Sequence, residues 1–78
     1  MTISFFKYVY PNRFFGRELE RTETFTNMDD AVASFKDCFK HHLGRKPTVG
    51  QVDKMKAFSV VTVKKGQLEY EFSFSFVK

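Results

Sequence analysis

The stretch Leu68–Val77 (LEYEFSFSFV) constrains the chain more than any other. Leu68, Tyr70, Phe72, Phe74 and Phe76 fall at every second position, with Glu69, Glu71, Ser73 and Ser75 between them. Side chains alternate across a strand, so this stretch raises a wall of rings on one face and a polar surface on the other. Such a wall leaves water only if another part of the chain lies over it. Residues 28–43 supply a suitable cover: Met28, Val32, Phe35, Phe39 and Leu43 recur at helical spacing, flanked by Ala31, Cys38 and His42. Asp30, Ser34, Asp37 and His41 take the opposite face. Thr26 or Asn27 caps this helix, with Asp29 or Asp30 three residues on, and the basic residues Lys40, His41 and Arg45 suit its far end. Gly44 is placed to end it, and Pro47 prevents its resumption.

The remaining segments read mostly as strands. Ile3–Tyr10 (ISFFKYVY) is apolar on both faces, with Ile3, Phe5 and Val9 on one and Phe6, Tyr8 and Tyr10 on the other. Pro11-Asn12 signals a turn, and Phe14-Phe15-Gly16 lies in or beside a loop. Arg17–Phe25 forms a second strand, whose charges suit a sheet edge. Arg21 and Glu23 interrupt its alternation, which predicts a bend or bulge. Lys46–Asp53 reads as a loop and Met55–Val63 (MKAFSVVTV) as a third strand. A turn at Lys65-Gly66 then sets Val63 opposite Leu68, Val61 opposite Tyr70, Ser59 opposite Phe72 and Ala57 opposite Phe74. Glu69 and Glu71 would face Thr62 and Val60.

These elements predict one α+β domain over residues 1–78, ordered β-β-α-β-β. Its four-stranded sheet, in the order 2-1-4-3, has one helix packed on one face. Two hairpins joined by one helix put the first and last strands parallel at the centre. In element order this resembles the β-grasp family, a likeness that implies no activity.

One helix covers one face of such a sheet, yet the chain holds eleven Phe and three Tyr. Phe58 and Val60 are left over, together with Phe14 and one face of the first strand. If the tyrosine-bearing set points outward, rings lie on an open sheet surface beside Lys7 and Lys56. Surplus rings of this kind are hidden under loops, form a protein interface, or provide a platform on which bases stack.

Charge narrows the partners. The net charge is +4, and between Phe39 and Lys65 seven cations stand against Asp53 alone. These are Lys40, Arg45, Lys46, Lys54, Lys56, Lys64 and Lys65. Such an excess favours an anionic partner, either nucleic acid or an acidic protein surface. A single cysteine, Cys38, excludes an internal disulfide and points to a reducing compartment. With no secretory leader and no apolar run of membrane length, the expected location is the cytoplasm.

Catalytic constellations are missing from the sequence. Cys38 and His42 share a helical face, but a zinc site needs at least one more ligand, and His41 points elsewhere around the helix. Glu69 and Glu71 share a strand face and read as solvated. The residues Phe15-Gly16-Arg17, followed by Ala31, Phe35, Phe39 and Gly44, resemble part of the WGR domain, a nucleic-acid-binding module. The likeness covers under half the chain; Phe15 stands where that family has tryptophan, and its following glycines are absent.

The expectation is a small, basic, non-catalytic binding module without metal or cofactor. It would bind RNA or a single strand through the seven cations, with Tyr8, Tyr10 and Phe58 as stacking or interface groups. The alternative is a protein-binding inhibitor or adaptor, of the kind found in phages and mobile elements, or a homodimer that acts by occlusion through its surplus rings.

Overall fold

The computed structural model describes residues 2–11 and 16–77. Six elements follow one another: β1 (Thr2–Tyr10), β2 (Glu18–Phe25), α1 (Met28–Leu43), α2 (Val49–Phe58), β3 (Val60–Lys65) and β4 (Leu68–Val77). The four strands form one sheet in the order β2-β1-β4-β3, as expected. The helices lie over it, α1 above β1 and β2, and α2 beside β3 and β4. Asn12, Phe14 and Phe15, assigned above to a turn and loop, lie outside the described residues. None of the described helices is long and apolar enough to cross a membrane.

Helix α1 forms as its sequence dictates. The Asn27 side chain accepts a hydrogen bond from the Asp30 amide at 2.9 Å, and Gly44 closes the far end at φ 75°. Its buried stripe of Ala31, Val32, Phe35, Cys38 and Phe39 meets the wall of β4. Phe72 stands at the centre, its ring 5.4 Å from Phe35, 5.6 Å from Phe39 and 6.3 Å from Phe5 between centroids. The strand β1 contributes Ile3, Phe5 and Val9 to this core, which turns Phe6, Tyr8 and Tyr10 to the uncovered face.

A second helix, α2, replaces much of the expected loop and third strand. Thr48 caps it: its hydroxyl accepts from the Gln51 amide at 3.1 Å, while the Gln51 side chain accepts from the Thr48 amide at 2.9 Å. This reciprocal pair satisfies donors that the first helical turn would otherwise leave open. Met55 points into the core and is fully buried, and Ser59 ends the helix at φ 64°. Phe58 therefore ends a helix rather than lying on the sheet, with 73% of its surface exposed.

The second helix also changes the sheet. It adds one reversal of chain direction between β2 and β3, so β4 returns antiparallel to β1. The centre is thus not the parallel pair of a β-grasp arrangement, and every pairing in the sheet is antiparallel. The last hairpin turns at Gly66-Gln67 rather than Lys65-Gly66, setting Lys65 opposite Leu68, Val63 opposite Tyr70 and Val61 opposite Phe72. This register differs from the expected one by two residues, so each side chain keeps its predicted face. Ser59 and Ala57 do not join the ladder as paired residues, although the Ser59 carbonyl accepts from the Phe74 amide at 2.8 Å.

On the edge strand β2 the predicted irregularity is present. Lys7 pairs with Arg21 and Tyr8 with Leu19, which leaves Glu20 without a partner across the ladder. Lys7 shares the face of Ile3, Phe5 and Val9, so it lies in the core and not beside the outward rings. Only 1% of it is exposed. The bulge brings Glu20 to its ammonium as an ion pair, while Nδ1 of His42 lies 3.2 Å away and the Tyr70 ring centroid 4.8 Å away.

Candidate functional site

Two surfaces carry the candidate residues, and they lie on opposite sides of the sheet. The first is a groove of about 510 Å³ between α1 and α2. Lys36 and Lys40 project from α1 one turn apart, Lys46 comes from the linker, and Lys56 from α2. Ala33, Pro47, Val49 and Val52 give it aliphatic walls, and Asp37 and Asp53 are its carboxylates. Among the described residues, none of these four lysines is in an ion pair, whereas Lys7, Arg17 and Arg21 all are. The first turn of α2 holds no acidic residue, so the positive end of its dipole adds to the groove's potential.

The second surface is the open face of the sheet. Phe6 and Tyr8 stack on the central strand β1 with centroids 6.1 Å apart and planes inclined by 24°. The guanidinium of Arg17 sits 4.0 Å from the Tyr8 centroid and pairs with Glu71, which also accepts from the Tyr10 hydroxyl at 3.3 Å. Desolvation alone would lower the Arg17 pKa, but Glu71, Tyr8 and Tyr10 together outweigh it and the net shift is upward. Desolvation raises the Tyr10 pKa, with Glu71 adding to it. Leu19 and Val60 are exposed on the same face. Lys64 stands opposite Glu69, so the two cations and two carboxylates on this face cancel among the described residues.

The seven expected cations are therefore divided. Lys40, Lys46 and Lys56 meet in the groove, and Lys36 joins them. Lys54 is exposed on α2. Arg45 lies over the Phe39 ring, 5.2 Å from its centroid, and donates to the Lys46 carbonyl at 3.3 Å. Lys65 donates to the His42 carbonyl at 3.0 Å and so caps the end of α1, while Lys64 belongs to the open face. Tyr8 and Tyr10 lie on that open face too, away from the groove, and Phe58 lies on neither surface as a strand residue. Glu69 and Glu71 face Lys64 and Thr62 rather than Thr62 and Val60.

Sequence reasoning missed two participants. Lys36 was overlooked although its spacing to Lys40 places both on one side of α1. Arg17 had no comparable signal, because only the fold brings it to Tyr8.

Cys38 is a buried free thiol, whereas His42 turns its Nδ1 to Lys7 at 3.2 Å. Burial raises the Cys38 pKa, against the opposing effect of nearby Arg21 and Lys7. Burial lowers the His42 pKa, assisted by Lys7 and His41. No cluster of three His, Cys, Asp or Glu that could hold a metal occurs among the described residues. Compared with known proteins, the chain matches no family model, no curated protein and no solved structure.

Proposed function

We propose that this chain is a non-catalytic module that binds RNA or single-stranded DNA through its helical layer. One observation carries the reading: four lysines converge on one groove without ion-pair partners among the described residues. Cations held together in this way, with no carboxylate bridging them, are suited to phosphates. The overall charge of +4 supports long-range attraction of a polyanion. The single, buried Cys38 suits work in a reducing cytoplasm.

Fluorescence anisotropy with a labelled oligonucleotide tests the proposal. Four phosphate contacts to a single strand give a slope of log K against log salt of about −3, from roughly −0.7 per contact. Changing Lys36, Lys40, Lys46 and Lys56 together to glutamine should abolish binding at moderate salt. Absent binding at low salt, or binding indifferent to salt, would defeat the reading.

A second reading belongs to the open face of the sheet. Phe6, Tyr8 and Tyr10, with exposed Leu19 and Val60, form an aromatic surface whose charges cancel, as suits a protein partner. Here the chain is an adaptor or inhibitor that occludes its target, or a homodimer. Light scattering tests the homodimer. Affinity capture with nuclease present tests the heterologous partner, and a Tyr8→Ala change should then release it.

A further inference from the structure

We infer that the groove holds a single strand by its sugar–phosphate chain, and that base stacking makes no contribution to binding. This rests on the nucleic-acid reading above and specifies the ligand of that same groove. Its lining offers ammonium groups, two carboxylates and aliphatic surface, with no aromatic ring and no asparagine, glutamine or arginine among the lining residues. Holding bases by stacking depends on aromatic rings or on guanidinium planes, whereas lysine and aspartate meet a single strand as point charges or at base edges. No group of the stacking kind lines the groove.

Phe58 is exposed at the end of α2 but is not among the groove's lining residues, and the other candidate rings are on the far side of the sheet. Phe6, Tyr8 and Tyr10 face away from the helices, with the sheet and the core of Phe5, Phe35 and Phe72 in between. A strand seated between α1 and α2 cannot lay its bases on them. The Tyr8 ring is in addition covered on one side by Arg17.

The shape selects one strand. Lys36 and Lys40 stand on one wall and Lys56 on the other, with Lys46 in the linker between the two helices. A concave furrow with cations on both walls surrounds a single phosphodiester chain, whereas a duplex is convex and meets only the rims. Asp37 and Asp53 reduce the net charge of the groove and keep the affinity dependent on low salt.

Competition against a labelled single strand decides the matter, using three unlabelled ligands of equal length, roughly 12 nucleotides. These are a mixed-sequence oligonucleotide, an abasic deoxyribose-phosphate oligomer, and a duplex. The abasic oligomer should compete within about threefold of the mixed sequence, and the duplex should be weaker than both. A Lys36→Gln, Lys56→Gln double variant should lose affinity for the abasic and the mixed oligomer by the same factor. An abasic oligomer that is weaker by tenfold or more overturns the inference and leaves nucleic-acid binding standing. A duplex that competes as well as the single strand overturns the single-strand preference. If the labelled strand itself does not bind, nucleic-acid binding fails as a whole.

Discussion

Replacing Glu20 with glutamine removes the carboxylate that pairs with the buried Lys7 ammonium. Lys7 is 1% exposed, so its charge has no route to water without local opening, while the Glu20 side chain is 41% exposed and can be rehydrated. The two members of the pair therefore differ in what their loss leaves behind. Breaking a fully buried pair by removing one partner costs about 3–5 kcal/mol. The exposed position of Glu20 and the remaining contacts to His42 and Tyr70 reduce this, and about 1–3 kcal/mol is expected for Glu20→Gln. Lys7→Met keeps most of the volume and leaves only a carboxylate that water can reach. Its expected effect lies within about 1 kcal/mol of zero, in either direction. Urea unfolding followed by circular dichroism at neutral pH measures both. In the Lys7→Met background the Glu20→Gln change should be nearly silent, since the charge that needed compensation is gone. If Lys7→Met destabilised the fold as much as Glu20→Gln, the reasoning would be refuted.

Three further outcomes follow from the same contacts. Phe72→Ala should cost about 3–5 kcal/mol, a large share of the roughly 4–12 kcal/mol available to a chain of this size, and a loss well under 1 kcal/mol in urea melts would remove it from the core's centre. Thr48→Ala should cost about 1 kcal/mol by opening the capping box of α2, and an unchanged unfolding midpoint would contradict that cap. His42 has a lowered pKa in the fold, so the unfolded chain takes up its proton first as pH falls below about 6.5. Stability from this group is complete above that value and declines down to the folded pKa. His42→Gln should accordingly flatten the stability profile between neutral and mildly acidic pH, and an unaltered slope would show that His42 is not the source.

The first half of the fold was legible because its signals agree. Asn27, Asp30 and Gly44 mark the ends of α1, and its stripe has the same period throughout. The strand β4 and its core face were equally clear. The second helix was not, because two patterns overlap in MKAFSVVTV. Ala57, Ser59, Val61 and Val63 alternate as a strand would, while Thr48 and Gln51 announce a helix a few residues earlier. The boundary between them is Ser59 at φ 64°, a left-handed turn made without the glycine or asparagine that normally announces one. The antiparallel centre of the sheet was lost with that helix, since the direction of β4 depends on how many reversals precede it.

The groove was lost for the same reason, and this explains why a count of cations did not show where each one emerges. Composition reports an excess of charge between Phe39 and Lys65 but not the side of the fold on which each residue emerges. Lys64 and Lys65 are neighbours in the chain, yet one joins the open face and the other caps α1. Lys36 and Lys56 are far apart in the chain, yet α2 brings them to one groove. Like charges one turn apart, as at Lys36 and Lys40, weaken a helix by a few tenths of a kcal/mol. Asp37 offsets part of this for Lys40, which also gains from the helix dipole near the C-terminus; Lys36, in the middle of α1, has no such gain. A bound phosphate would turn that repulsion into attraction for both lysines at once. On the nucleic-acid reading proposed above, an anion in the helical layer would therefore relieve a repulsion that the aromatic face, with its charges cancelled, does not carry.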